Sequence, residues 1–180
     1  MIVTKEIFNK IISILETQKI IFLDTETDGL EPYNGNRIFG IGIGIASGKT
    51  YYFPFRHKYS GDEFKSYLNL SEEQFKILIK ALNNVSTLVG YNIKFDLHML
   101  IQGGLIPWDK ELIDVIVAVR MNEDERFPDL GLKETIDRIY GEGSSKYAID
   151  LKDVLKKNKW NKDFSLAPIE IIGPYCELDV

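Results

Sequence analysis

The chain has 180 residues, enough for one domain with a sizeable core, and its 44% hydrophobic and 27% charged residues exclude wholesale disorder and fibrous repeats. Its 22 basic and 27 acidic residues give a net charge of −5, which counts against a protein that holds duplex nucleic acid through its own positive surface. That acidic surplus is compatible with an enzyme whose carboxylates bind divalent metal ions, because the ions then meet the phosphates.

Cell location is constrained by three features of the sequence. No apolar run is long enough for a membrane span, and the N-terminus lacks the pattern of a secretory signal. The single cysteine, Cys176, excludes an internal disulfide and fits a reducing compartment. We therefore expect an intracellular, cytoplasmic domain that does not associate with a membrane.

The first third of the chain predicts a helix followed by three strands. The helix is expected over residues 4–17 with Thr4 as its cap, and the first strand over 19–26. Residues 37–46 alternate isoleucine on one strand face with glycine on the other, which indicates that another element packs closely on the glycine face. A turn then leads to a third strand over 50–55, so that the three strands form an antiparallel meander.

The rest of the chain predicts helices with one further strand. Ser71 and Gln74 form a capping box at the start of a helix, and residues 87–91 are typical of a short strand. Further helices are predicted over 93–102, 114–121, 132–140 and 151–158, and from about Pro174 onward. This order predicts an α/β fold with a mixed central sheet, whose first three strands are antiparallel, and with flanking helices.

Two acidic residues lie at the end of the first predicted strand. Asp24 and Glu26 are two positions apart, so their side chains point to the same face at the carboxyl edge of the sheet. Two like charges this close repel each other unless a cation lies between them, and hard ions such as Mg²⁺ prefer oxygen ligands. Taken alone, the pair is also compatible with a solvated strand end.

Two further pairs show helical spacing. Asn92 and Asp96 are four residues apart at the start of a predicted helix, where Asn92 is also a candidate helix cap. Tyr175 and Asp179 have the same spacing in the last predicted helix. Together with the pair Asp24 and Glu26, these pairs form an ordered set of three elements along the chain.

The sequence motifs at these positions resemble those of the 3′→5′ exonucleases of the DEDD superfamily. They are most similar to the proofreading domain of family A DNA polymerases. The matching stretches are residues 22–30 (FLDTETDGL), 90–100 (GYNIKFDLHML) and 132–141 (LKETIDRIYG). The resemblance implies a ribonuclease H-like three-layer fold. It also implies that Tyr175, four residues before Asp179, places the chain in the tyrosine branch, since Pro174 stands where the other branch has histidine.

The resemblance also implies residue roles. The catalytic positions are Asp24, Glu26, Asp96, Tyr175 and Asp179, and the four acids would hold two divalent ions, Mg²⁺ or Mn²⁺. Tyr175 would orient the attacking water. The substrate-binding positions are Thr25, Leu30 and Asn92, and a second apolar contact is expected near Leu151.

The function implied is hydrolysis of single-stranded DNA 3′ ends to nucleoside 5′-monophosphates. We expect one exonuclease domain over residues 1–180, a fragment of a longer chain that also contains a polymerase domain. Two alternatives stay open. The first is a ribonuclease D-like enzyme that trims RNA, although that family has phenylalanine where this chain has Thr27. The second is an inactive nucleic-acid-binding or scaffold module, although all four acids and Tyr175 are present.

Overall fold

The computed structural model describes residues 1–58, 68–122, 130–160 and 163–180, with only the backbone for 147–150. These residues hold a five-stranded sheet with the strand order β3-β2-β1-β4-β5. The strands are β1 (Ile20–Thr27), β2 (Ile38–Ile45), β3 (Thr50–Pro54), β4 (Thr87–Gly90) and β5 (Glu111–Asp114). β1, β2 and β3 are antiparallel neighbours, whereas β4 and β5 run parallel to β1. The predicted mixed sheet with an antiparallel meander is confirmed.

Helices cover both faces of this sheet. They are α1 (Phe8–Leu15), α2 (Glu72–Asn83), α3 (Ile93–Gln102), α4 (Val115–Asn122), α5 (Leu132–Tyr140), α6 (Lys146–Lys157) and α7 (Ile169–Leu178). On one face, the isoleucines of β2 join α1, α2 and α3 in the larger apolar core. On the other face, α6 and α7 pack with Phe39 and Tyr52 in a smaller core. None of the described helices combines the length and apolar character needed to cross a membrane.

The glycine face of β2 lies directly under α7. A Cβ atom on Gly42 would lie 2.7 Å from Sγ of Cys176, closer than a real Cβ tolerates. The close packing expected from the alternation of glycine and isoleucine is therefore confirmed at Gly42. It brings the axis of α7 near enough to β1 for the two elements to share one site.

Two predicted helix starts are wrong. α1 begins at Phe8 rather than at Thr4, and its N-cap residue, Ile7, makes no side-chain capping bond. α7 begins at Ile169, so Pro174 lies inside the helix instead of in its first turn. An internal proline costs a backbone hydrogen bond, but the burial of Ile169 and Ile172 against the sheet outweighs that cost.

One further helix start differs, and one strand was not predicted. α6 begins at Lys146, five residues before the predicted position, and the sequence did not predict β5. β5 is a short edge strand whose first three residues are exposed, so it lacks the alternation that marks a half-buried strand.

Candidate active site

The predicted acids surround one cavity of about 200 Å³ at the carboxyl end of β1. The described lining residues are Asp24, Thr25, Glu26, Tyr91, Asn92, Phe95, Asp96, Phe164, Tyr175 and Asp179. The parallel pairing of β1 with β4 explains the convergence, because it places the end of β1 beside the start of α3. All five residues predicted to be catalytic therefore line the same cavity, and so do Thr25 and Asn92. Leu30 does not; it lies on the rim of the neighbouring cleft.

β1 supplies two of the carboxylates on its α7 face. Asp24 pairs with Gly42 of β2 and Glu26 with Gly40, and the strand register shifts just after Glu26. Ligand atoms of Asp24, Glu26 and Cys176 all lie within 4.8 Å of one another. The space at the two glycines is filled by Tyr52 at Gly40 and by Cys176 at Gly42, and both carboxylates line the acid cavity.

Asp96 is held by the strand opposite it. Its Oδ1 accepts hydrogen bonds from the backbone N–H of Thr25 at 2.8 Å and from the hydroxyl of Thr25 at 2.6 Å. Burial raises the pKa of Asp96 to about 6, against the opposing effect of these two bonds. The hydroxyl of Thr25 is thus engaged by Asp96, and a direct contact of Thr25 with substrate stays a prediction.

Asn92 joins β4 to α3 in an unusual conformation. Its φ angle is 59°, a left-handed conformation that asparagine tolerates better than most residues. Its backbone N–H donates to Oδ1 of Asp114 at 2.8 Å, whereas its side chain makes no capping bond to α3. Asn92 therefore occupies the N-cap position of α3 but does not cap the helix through its side chain. Its exposed side chain stands between the acid cavity and the cleft that contains Leu30.

α7 supplies the remaining predicted residues, and α5 adds a lysine. Tyr175 and Asp179 lie one turn apart, with Asp179 as the C-cap residue. The ammonium group of Lys133 pairs with the carboxylate of Asp179 and lies 4.7 Å from the centre of the Tyr175 ring. The hydroxyl of Tyr91 donates to the carbonyl of Leu130, which ties the start of α5 to the end of β4. Lys133 is therefore a part of the site.

Lys133 lies in the matching stretch 132–141 but was not assigned a role in the site, and no motif singled out Phe164. Lys133 is the second residue of α5, where the helix dipole disfavours a positive charge, and this placement was an available signal. Phe164 lies in a short 3₁₀ turn before α7, and only tertiary packing brings its ring to the cavity. Leu151, expected as the second apolar substrate contact, is buried in the smaller core instead. Phe164 occupies the cavity wall in its place.

The cavity concentrates negative charge in a buried environment. Burial, followed by the charges of Glu26, Asp96 and Asp179, raises the pKa of Asp24 well above its usual value. Burial and Asp179 raise the pKa of Glu26 to about 8, while Lys133 acts in the opposite direction. Such a cluster of hard oxygen donors fits divalent cations such as Mg²⁺ and Mn²⁺, which would relieve the repulsion.

Cys176 contacts this cluster of carboxylates from α7. Its Sγ lies 3.6 Å from Oδ2 of Asp24, at the distance of a weak S–H hydrogen bond. Burial, with the nearby charge of Asp24, raises the pKa of the thiol well above its usual value, so the thiol stays protonated. A protonated thiol is a donor to Asp24 and a poor ligand for a hard cation.

A comparison with known protein families agrees with this geometry. The model of the 3′-5′ exonuclease of family A DNA polymerases matches residues 1–180. The chain belongs to this exonuclease family. The family is metal-dependent, and its members are hydrolases of the DEDD type. The expected family is thereby confirmed.

Individual relatives are distant. The DNA polymerase DpoZ of Salmonella phage PMBT28 is 27% identical over 86 residues, which cover 48% of this chain and 12% of that polymerase. The RNase domain of the yeast Pop2 protein has a TM-score of 0.54 at 15% identity, covering 76% of this chain and 74% of that chain. Pop2p of S. pombe in its Mg²⁺- and Mn²⁺-bound form has a TM-score of 0.55 at 14% identity, covering 89% of this chain and 93% of that chain. These similarities confirm the ribonuclease H-like fold of the exonuclease.

Proposed function

We propose that this exonuclease removes single nucleotides from single-stranded DNA 3′ ends, as the proofreading domain of a DNA polymerase. The observation that carries the proposal is the convergence of Asp24, Glu26, Asp96 and Asp179, with Tyr175, on one cavity. Carboxylates from a strand and two helices meet there at the carboxyl edge of the sheet, where α/β folds place their sites.

Asp24, Glu26 and Asp179 would hold one divalent ion, and Asp24 and Asp96 would hold the second. When bound, such ions activate water as a nucleophile and stabilise charge on the leaving oxygen. Thr25 holds Asp96 in one orientation through its two hydrogen bonds to Oδ1. The geometry thus provides one rigid acid, Asp96, beside the pair carried by β1.

Tyr175 and Lys133 would complete the catalytic environment. Burial and the charge of Asp179 raise the pKa of Tyr175, so its hydroxyl stays protonated and acts by positioning the attacking water. Lys133 offsets part of the negative charge of Glu26 and Asp179 in the protein alone. Phe164 gives the cavity an aromatic wall against which the terminal base can stack.

Three observations favour DNA over RNA as the substrate. The family model is that of DNA polymerase exonucleases, and the phage relative is a DNA polymerase. Thr27 also departs from the ribonuclease D-like motif. RNA trimming is the second candidate, because a protein of similar fold is described as an RNase domain. The presence of all four acids in one cavity argues against an inactive binding module.

The polymer preference can be tested with 5′-labelled DNA and RNA of identical sequence, each single-stranded, in Mg²⁺. We expect DNA to be shortened faster from its 3′ end. A DNA duplex with a mismatched 3′ terminus should also be degraded faster than the matched duplex, because only a frayed end reaches the cavity. Faster loss from RNA, with no preference for the mismatch, would replace proofreading by RNA trimming.

A further inference from the structure

One basic side chain reaches the acids from outside the lining of their cavity. The described residues that line the cavity include four acids and no lysine or arginine. Lys133 approaches from α5, and its ammonium group pairs with the carboxylate of Asp179. The side chain of Lys133 is 18% exposed and that of Asp179 is 7% exposed, so the pair is largely withdrawn from water.

Two further contacts direct the ammonium group of Lys133 at this end of the cavity. It lies 4.7 Å from the centre of the Tyr175 ring, at the distance of a cation–π contact. Its charge also reaches Glu26, whose raised pKa it opposes. Lys133 is therefore directed at Glu26 and Asp179, two of the acids that would hold the first divalent ion.

We propose that Lys133 is an internal competitor of this first divalent ion, because its ammonium group occupies the Asp179 carboxylate and has to leave it before the ion can bind there. The inference rests on the proposed function, since it assumes that Glu26 and Asp179 ligate a divalent ion. An ammonium group that stayed on Asp179 would lie against the ion. Repulsion between two cations on one buried carboxylate is only weakly screened by salt.

Competition of this kind would set the ion concentration at which the exonuclease becomes active. Binding of the ion includes the cost of breaking the pair between Lys133 and Asp179, and this cost lowers the apparent affinity for the ion. The partial exposure of Lys133 and its flexible stem give the displaced ammonium group a route to solvent. The site would thus stay inactive at ion concentrations at which the acids alone would already be loaded.

Calorimetric titration with Mg²⁺ measures the competition. An Asp96→Asn background leaves a single ion site, and about pH 9 keeps Glu26 ionised, since its pKa is about 8. Lys133→Met should tighten Mg²⁺ binding by about 5- to 150-fold, the usual range for two coupled binding events. Lys133→Arg keeps the charge and should tighten binding less. Lys152→Met removes the same charge from an exposed position on α6 and should leave the affinity unchanged.

Chemical labelling follows the ammonium group in the unsubstituted protein, so this second measurement does not depend on the folding of a variant. An amine-acylating reagent reacts slowly with a lysine that is paired and buried. Addition of Mg²⁺ should therefore raise the labelling rate of Lys133 relative to that of Lys152, as measured by mass spectrometry of the digested protein.

The outcomes separate this inference from the proposed function. Equal Mg²⁺ affinity in Lys133→Met and its parent would overturn the inference. A labelling rate at Lys133 that Mg²⁺ leaves unchanged or lowers would overturn it as well. Absence of Mg²⁺ binding by the protein that carries all four acids would overturn the proposed function.

Discussion

Thr25 donates both its backbone N–H and its hydroxyl to a single carboxylate oxygen of Asp96, at 2.8 and 2.6 Å. These two hydrogen bonds join the strand that carries Asp24 and Glu26 to the helix that carries the third acid. The spatial relation between the acids therefore depends on a residue that itself has no ionisable group.

Removing the hydroxyl of Thr25 should loosen Asp96 without deleting an acid. A hydrogen bond to a charged group is worth about 1.5–3 kcal/mol, so Thr25→Val should lower kcat by about 10- to 100-fold and weaken Mn²⁺ binding. Steady-state kinetics and calorimetric Mn²⁺ titration measure the two effects. Thr25→Ser retains the hydroxyl and should retain most of the activity; equal losses in both variants would contradict the positioning role.

Lys133 should stabilise the protein most when divalent ions are absent. Lys133→Met keeps the apolar stem but removes the charge that pairs with Asp179 and that opposes the raised pKa of Glu26. We expect the free energy of unfolding in EDTA to fall by about 1–3 kcal/mol and the loss to shrink in Mn²⁺. Urea unfolding under both conditions tests this, with Lys152→Met on the exposed face of α6 as the control. The same loss in EDTA and Mn²⁺ would refute the electrostatic explanation.

The glycine face of β2 sets the position of α7. Gly42→Ala would place a Cβ atom 2.7 Å from Sγ and 3.1 Å from the carbonyl oxygen of Cys176. The helix must then shift, which displaces Tyr175 and Asp179. We expect a loss of about 1–3 kcal/mol in unfolding free energy and at least about tenfold in kcat.

The double variant Gly42→Ala/Cys176→Ala serves as the control for that prediction. It removes the clash with sulfur but keeps the one with the backbone oxygen, so it should recover part of the lost activity. Full activity in Gly42→Ala alone would show that α7 is not constrained by the close approach.

How much of this site follows from sequence depends on the range of the interactions involved. The two-residue spacing of Asp24 and Glu26 and the four-residue spacing of Tyr175 and Asp179 are local, and the structure keeps both. Parallel pairing of β1 with β4 then brings Asp96 to the same edge, as alternating strands and helices predict.

The remainder of the site arises from tertiary packing. Phe164 reaches the cavity from a short turn that has no periodic signal, and Lys133 reaches it because Tyr91 ties α5 to β4. The start of α7 was misplaced since Pro174 is a typical first-turn residue, yet burial of Ile172 and its neighbours continues the helix back to Ile169. Local propensity was outweighed by burial in that case.

Because His57 is buried, the protein should lose stability as the pH falls. The imidazole is 4% exposed, lies 2.8 Å from the hydroxyl of Tyr52 and 3.1 Å from the carbonyl oxygen of Ala167, and faces Phe39 and the charge of Glu170. Burial lowers the pKa of His57 to about 4. As the pH falls below about 6.5, the imidazole is therefore protonated in the unfolded chain but stays neutral in the folded protein. Stability is therefore lost as pH falls, by about 2 kcal/mol between pH 7 and pH 5.

The measurement is the difference in unfolding free energy between the protein and His57→Gln, each followed from pH 7 to pH 5 in EDTA. Taking the difference removes the opposite contribution of the carboxyls around Asp24, whose raised pKa values favour the folded state as pH falls. A difference that stays constant across this range would show that His57 is not held in its neutral form.

The central claim is that the acid cavity hydrolyses nucleic acid from the 3′ end. The most direct measurement follows a 5′-labelled single-stranded DNA in Mg²⁺ or Mn²⁺ and identifies the released product, beside Asp24→Asn and beside EDTA. The account predicts a ladder that shortens by one nucleotide at a time with release of nucleoside 5′-monophosphates, and at least about a 10³-fold slower reaction in Asp24→Asn. Shortening at the same rate in Asp24→Asn, or shortening that continues in EDTA, would contradict the account.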